Sequence, residues 1–139
     1  MRNISSNLEA SIHVIHENQE WTKPLFQELN NFNLPFVDWD MSNSIIDISS
    51  NAPRGIFYNR MSASSHTRGN RFAPETTIGL LAWLESQNRK VINGRNALNL
   101  EISKLVQYAS LKLVGLNVPS TIAVSKKDDI IEAYNTLGF

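Results

Sequence analysis

Short runs rich in branched and aromatic residues alternate along this chain with stretches of helical period, and that alternation restricts the fold more than any other feature. Residues 11–15 (SIHVI), 34–38 (LPFVD), 55–59 (GIFYN), 91–92 and 121–124 read as strands. Between them, Leu25, Phe26, Leu29 and Phe32 fall on one face of a helix that Thr22 would cap near Lys23, with Pro24 in its first turn. Pro74 suits the start of a helix reaching about Gln87, with Ile78, Leu81, Ala82 and Leu84 as its apolar surface. Residues 97–114 carry the clearest period, with Leu98, Ile102, Leu105, Val106, Ala109 and Leu113 on one side, Gly115 at the stop and Pro119 preventing continuation. Residues 127–137 form a last helix, and the four apolar residues 45–48 fit strand or helix equally. Strands alternating with helices predict an α/β fold of three layers, a mostly parallel sheet flanked by helices.

At 139 residues, the length suits one domain, here residues 11–139 after a polar N-terminal tail, residues 1–10. No apolar run reaches the roughly 20 residues of a membrane span, and the first eleven residues lack the apolar centre of a secretory signal. A cytoplasmic protein with no membrane partner is the expectation. Having no cysteine, the chain holds no disulfide, thiolate zinc ligand or cysteine nucleophile.

A net charge of zero conceals an uneven distribution. Residues 1–47 carry two basic and seven acidic side chains, whereas residues 48–74 carry Arg54, Arg60, Arg68 and Arg71 and no acid. Such a stretch creates a local positive field, unless its arginines pair with the acidic first third. Open α/β sheets bind ligands beyond the carboxyl ends of their strands. The residues that follow the strands, His16 and Glu17, Asp38 and Asp40, Arg60, and Asn93, therefore gather at one rim.

Several chemistries are excluded. Neither a G-x-G-x-x-G nor a G-x-x-x-x-G-K motif is present. His13 and His16 are three apart on a strand and point to opposite faces, a poor metal pair. Ser62, Ser64, Ser65 and His66 are too close in sequence for a nucleophile and its base, and no elbow glycines surround them. Few aromatics interleave with the arginines of this neutral chain, so nucleic acid is not an expected partner.

Residues 55–69 (GIFYNRMSASSHTRG), followed by LAWLESQNRKVINGRNALNLEISKLVQYASLKLVGLNVPSTIAV, carry a resemblance. In order they supply a strand ending in Asn-Arg, a Ser/His/Arg loop, a helix ending in Leu84 and Glu85, and a strand into Ile92, Asn93 and Gly94. Ser103, Lys104 and Gln107 follow, then Gly115, Pro119 and Thr121. Together they resemble the N-terminal, pre-ATP-grasp part of ATP-grasp carboxylate–amine ligases, such as glutathione synthetase-like and ribosomal-protein glutamate ligase-like enzymes. The resemblance implies a ligase that uses ATP and Mg²⁺ to make an acyl phosphate, which an amine then displaces. It implies that Lys104 faces nucleotide phosphate, and helical spacing sets Lys104 and Gln107 opposite the apolar stripe.

Arg60, His66 and Arg68 match the part facing the cleft, where an arginine fork suits a carboxylate, and Asn93 lines the same cleft; the implied substrate is an acidic small molecule or peptide. A solvated loop and a plain β-turn explain these residues as well. By the resemblance, the family's second lysine strand, Gly-rich loop and acidic magnesium ligands would follow residue 139 in further lobes, so the sequence is expected to be either a fragment of a longer ligase or a shortened protein that keeps only the first domain. The chain by itself is therefore expected to be inactive, with those lobes as its partner and with self-association through the helix at 97–114 and residues 137–139. The alternative is a standalone, non-catalytic small-ligand or protein-interaction module.

Overall fold

The computed structural model describes residues 11–138, so the N-terminal tail lies outside the described residues. These fall into two compact units, divided between Ile102 and Ser103. The first holds β1 (Ser11–His16), α1 (Gln19–Asn31), β2 (Phe36–Asp40), β3 (Gly55–Asn59), a 3-10 helix (Ala63–Arg68), α2 (Ala73–Ser86), β4 (Lys90–Ile92) and α3 (Arg95–Ile102). The second holds α4 (Lys104–Leu113), a 3-10 turn (Lys127–Asp129) and α5 (Ile130–Leu137).

The four strands form one sheet in the order β2-β1-β3-β4, and every pairing is parallel. β1 is central and almost wholly buried. Its register sets Ile15 beside Trp39 and beside Asn59. Ile15, Trp39 and Phe57 join Leu80, Leu81 and Leu84 of α2 and Leu98 of α3 in the core on one side of the sheet. On the other side Phe26 of α1 stacks on Phe36 (centroids 4.8 Å apart) and meets His16 edge-on. The fold is thus α/β with helices on both faces of a parallel sheet. His13 packs on Phe57 and Trp39 while His16 packs on Phe26, so the two histidines do occupy opposite faces.

One glycine is required by this sheet. Gly55 has φ of 140°, and a Cβ there would overlap the Ser11 carbonyl oxygen and stand 2.8 Å from the His13 ring.

Four local expectations are corrected. α1 begins at Gln19 and not near Lys23, because the Asn18 side chain accepts the Trp21 N–H (3.2 Å) and caps the helix a turn earlier. Thr22 is instead buried inside α1, its hydroxyl donating to the Asn18 carbonyl (3.0 Å), and Phe32, 71% exposed, sits at the C-cap. β2 starts two residues later than residue 34, since the Leu34 N–H is spent closing α1 on Leu29 O (2.9 Å). The helix expected over 97–114 is two helices: Ser103 adopts φ −127°, and its hydroxyl accepts the Val106 N–H (3.3 Å) to cap α4. Side-chain period continues through one extended residue, so spacing alone does not register the break.

Residues 121–124 make no ladder with any described strand, and of residues 45–48 only Ile45 forms an isolated bridge. A strand needs a neighbour as well as a branched composition.

Candidate functional site

The rim at the carboxyl ends of β1, β2, β3 and β4 gathers the residues that chain order assigns to it. His16, buried at the end of β1, bonds Asp38 of β2 through Nε2 (2.7 Å). Its Nδ1 accepts the backbone N–H of Asn18 (3.1 Å). A backbone N–H can only donate, so Nδ1 carries no proton and Nε2–H donates to Asp38. The imidazole thereby ties β1, β2 and the start of α1 together.

Glu17 follows directly, and its side chain is only 1% exposed. Arg68, at the end of the 3-10 helix, donates from Nε to Oε2 (3.2 Å) and from Nη2 to Oε1 (2.5 Å), and Asn70 Nδ2 adds a third bond (3.2 Å). The bond to Glu17 raises the Arg68 pKa above its ordinary value. Its guanidinium also lies 4.7 Å from the centre of the Trp21 ring and donates to Ser64 Oγ (3.2 Å). Arg68 is therefore engaged on the protein itself.

Arg60 differs. Its backbone N–H donates to Ile15 O (2.7 Å), fixing it at the end of β3, while its side chain lies over Tyr58 (5.7 Å) and meets no carboxylate among the described residues. The two acids nearest by chain order are occupied, Asp38 by His16 and Asp40 by Ser42. Asn93 has a positive φ of 54° and exchanges side chain–backbone bonds with Asn59, 2.8 Å in one direction and 3.4 Å in the other. These bonds clamp the ends of β3 and β4.

The serine-rich loop is a 3-10 helix whose N-cap is Ser62, with Ser62 and Ser64 hydroxyls 3.0 Å apart. His66 is exposed and donates from Nδ1 to Ala63 O (3.1 Å), which leaves Nε2 as a solvent-facing acceptor when the ring is neutral. Lys104 belongs to the second unit, at the first position of α4, where Nζ donates to Gln107 Oε1 (2.8 Å).

Sequence reasoning gave no part to Trp21, which lies against the Arg68 guanidinium, or to Asn70, which donates to Glu17; Arg71, singled out there only for its charge, lies over Phe72 (5.5 Å) with no acidic partner among the described residues. The adjacency of Arg71 and Phe72 within the acid-free stretch was the available signal. Among the described residues no group of three or more His, Asp or Glu side chains is arranged to hold a metal ion. No helix among them is long and apolar enough to cross a membrane.

Fold and rim together define a parallel α/β domain of the kind that holds ligands at the strand ends. A solved structure of the ATP-grasp ligase PsnB, complexed with a minimal precursor, is similar to it, with a TM-score of 0.60 and 16% sequence identity. The likeness covers 94% of this chain and 51% of that one, so the chain spans about half the length of the ligase it matches. No protein-family model matches the chain, and no curated protein matches it in sequence. The likeness is one of fold, shared with about half of that ligase.

Proposed function

We propose that this chain is the N-terminal, pre-ATP-grasp part of an ATP-dependent carboxylate–amine ligase, of the glutathione synthetase-like or ribosomal-protein glutamate ligase-like type, acting in the cytoplasm. The observation that carries the reading is the likeness to PsnB over nearly the whole chain. An exposed Arg60, held by the sheet and unpaired among the described residues, supports an acidic small molecule or peptide as substrate, because its planar fork suits a carboxylate. Arg71 is a second cation of the same kind. Arg68 serves by anchoring the 3-10 helix that presents His66, and Asn93 by holding the rim of β4.

ATP and Mg²⁺ would be held by the lobes that complete such a ligase, with Lys104 turned to nucleotide phosphate. In the second unit, α4 and α5 bury no residue, and Leu113 and Ile131 are 88% and 70% exposed. That surface supports a covering partner, either those lobes or a second copy of the chain.

The test is Mg²⁺-dependent ADP release with acidic amino acids and peptides as substrates. The 139-residue chain alone should release none, and a version extended by the reading frame past residue 139 should be active. An extended protein with no such activity, or a stop codon directly after residue 139, would instead support a standalone binding module.

A further inference from the structure

β2 ends the sheet, and no other described strand pairs with its outer side. The bonds Ile12 N–H to Pro35 O (3.0 Å) and Met41 N–H to His16 O (2.6 Å) direct the odd-numbered residues of this segment toward β1. Successive residues of a strand point their backbone groups to opposite sides. Phe36 and Asp38 therefore present both N–H and C=O to the open edge, and Asp40 presents its N–H, its carbonyl being taken by Ser44. Alongside runs an open groove of about 390 Å³, lined by Lys23, Phe26, Gln27 and Asn30 of α1 and by Asp38. Phe26 gives it an apolar wall. Asp38 and Glu20 in its lining outnumber its one cation, Lys23, and Asp40 follows on the same face of β2 as Asp38.

We propose that this edge takes up an extended basic peptide, which adds beside β2 as a fifth strand. Its backbone would pair with Phe36, Asp38 and Asp40, and every second side chain, a lysine or arginine, would lie on the α1 side against Asp38, Asp40 and Glu20. Charge also selects against a second copy. Two β2 edges pairing antiparallel would bring Asp38 and Asp40 of one chain opposite those of the other, a like-charge contact that destabilises a ladder. This surface is separate from Arg60 and stands whether or not the ligase reading holds.

The probe is a short fluorescein-labelled peptide alternating lysine with valine, titrated into the 139-residue protein and followed by anisotropy. Binding is expected, with slowed hydrogen exchange at the amides of Phe36, Asp38 and Asp40. N-methylation of alternate peptide amides should weaken it about tenfold or more through lost backbone bonds. Glu20→Lys, on an exposed helical position, should weaken it about three- to fivefold with an unchanged urea midpoint. Absence of binding, equal binding of the N-methylated peptide or of a glutamate–valine peptide, or protection confined to other amides would each overturn the proposal. So would protection of the same three amides by self-association without peptide, which would give the edge to a second copy.

Discussion

Glu17 and Arg68, 51 residues apart in the chain, form the one carboxylate–guanidinium pair among the described residues whose carboxylate is buried, with Glu17 1% and Arg68 26% exposed. The pair joins the end of β1 to the end of the 3-10 helix, so the acidic first third does neutralise one arginine of the acid-free stretch. It leaves Arg60 and Arg71 available.

Removing Arg68 strands the Glu17 carboxylate with Asn70 as its remaining side-chain donor. Arg68→Ala should lower stability clearly, because the buried Glu17 carboxylate loses its charged partner. Glu17→Gln, which keeps an acceptor for the fork, should cost less. Urea unfolding of the two variants checks the order, and equal small losses would show the pair to be worth little.

His13 titrates in the unfolded chain near the ordinary histidine value of 6.5; in the folded protein burial lowers its pKa, opposed by the hydrogen bond with Arg54 O (3.0 Å). Its Nδ1 is buried with no partner. As pH falls below about 6.5 toward the lowered folded value, the unfolded chain binds the proton and the native state does not, so stability declines across that window. Above it the contribution is complete. His13→Phe, which keeps the stack on Phe57, should flatten the dependence when denaturation is repeated at a series of pH values.

Arg60 makes no ion pair among the described residues, so Arg60→Lys should leave stability within about 0.5 kcal/mol. In the extended protein it should weaken acidic substrates by removing the bidentate fork. Substrate titration together with a melting curve separates the roles: a lowered melting temperature with unchanged affinity would make Arg60 structural.

Gly55→Ala forces a Cβ into the Ser11 carbonyl at a φ that side chains avoid. The expected loss is about 2 kcal/mol or more, read as a lower denaturation midpoint.

Ser103→Ala removes the cap of α4 and should cost that helix about 1 kcal/mol. If 97–114 were one continuous helix, the same change would be neutral or stabilising by propensity. Backbone amide exchange at Val106 distinguishes the two outcomes.

The strand and helix alternation, the strand at residues 11–15 and the turn at Asn93 were all legible, since each rests on local composition and spacing. The rim was legible too, because parallel strands joined by helices must all end on the same side. Which rim residues are free was not. Arg60 and Arg68 stand alike in the sequence, each in acid-free surroundings, yet only Arg68 finds a carboxylate, and it finds it 51 residues away.

By itself, then, the sequence determined the layers of this protein, the direction of its sheet and the edge where side chains gather, through periods of two and of three to four residues that act over short distances. Only the tertiary structure decided how those side chains are spent. Which acid neutralises which arginine, which histidine nitrogen holds the proton and whether 121–124 finds a neighbour all depend on groups brought together from distant parts of the chain, and hydrogen bonds and ion pairs act only at contact.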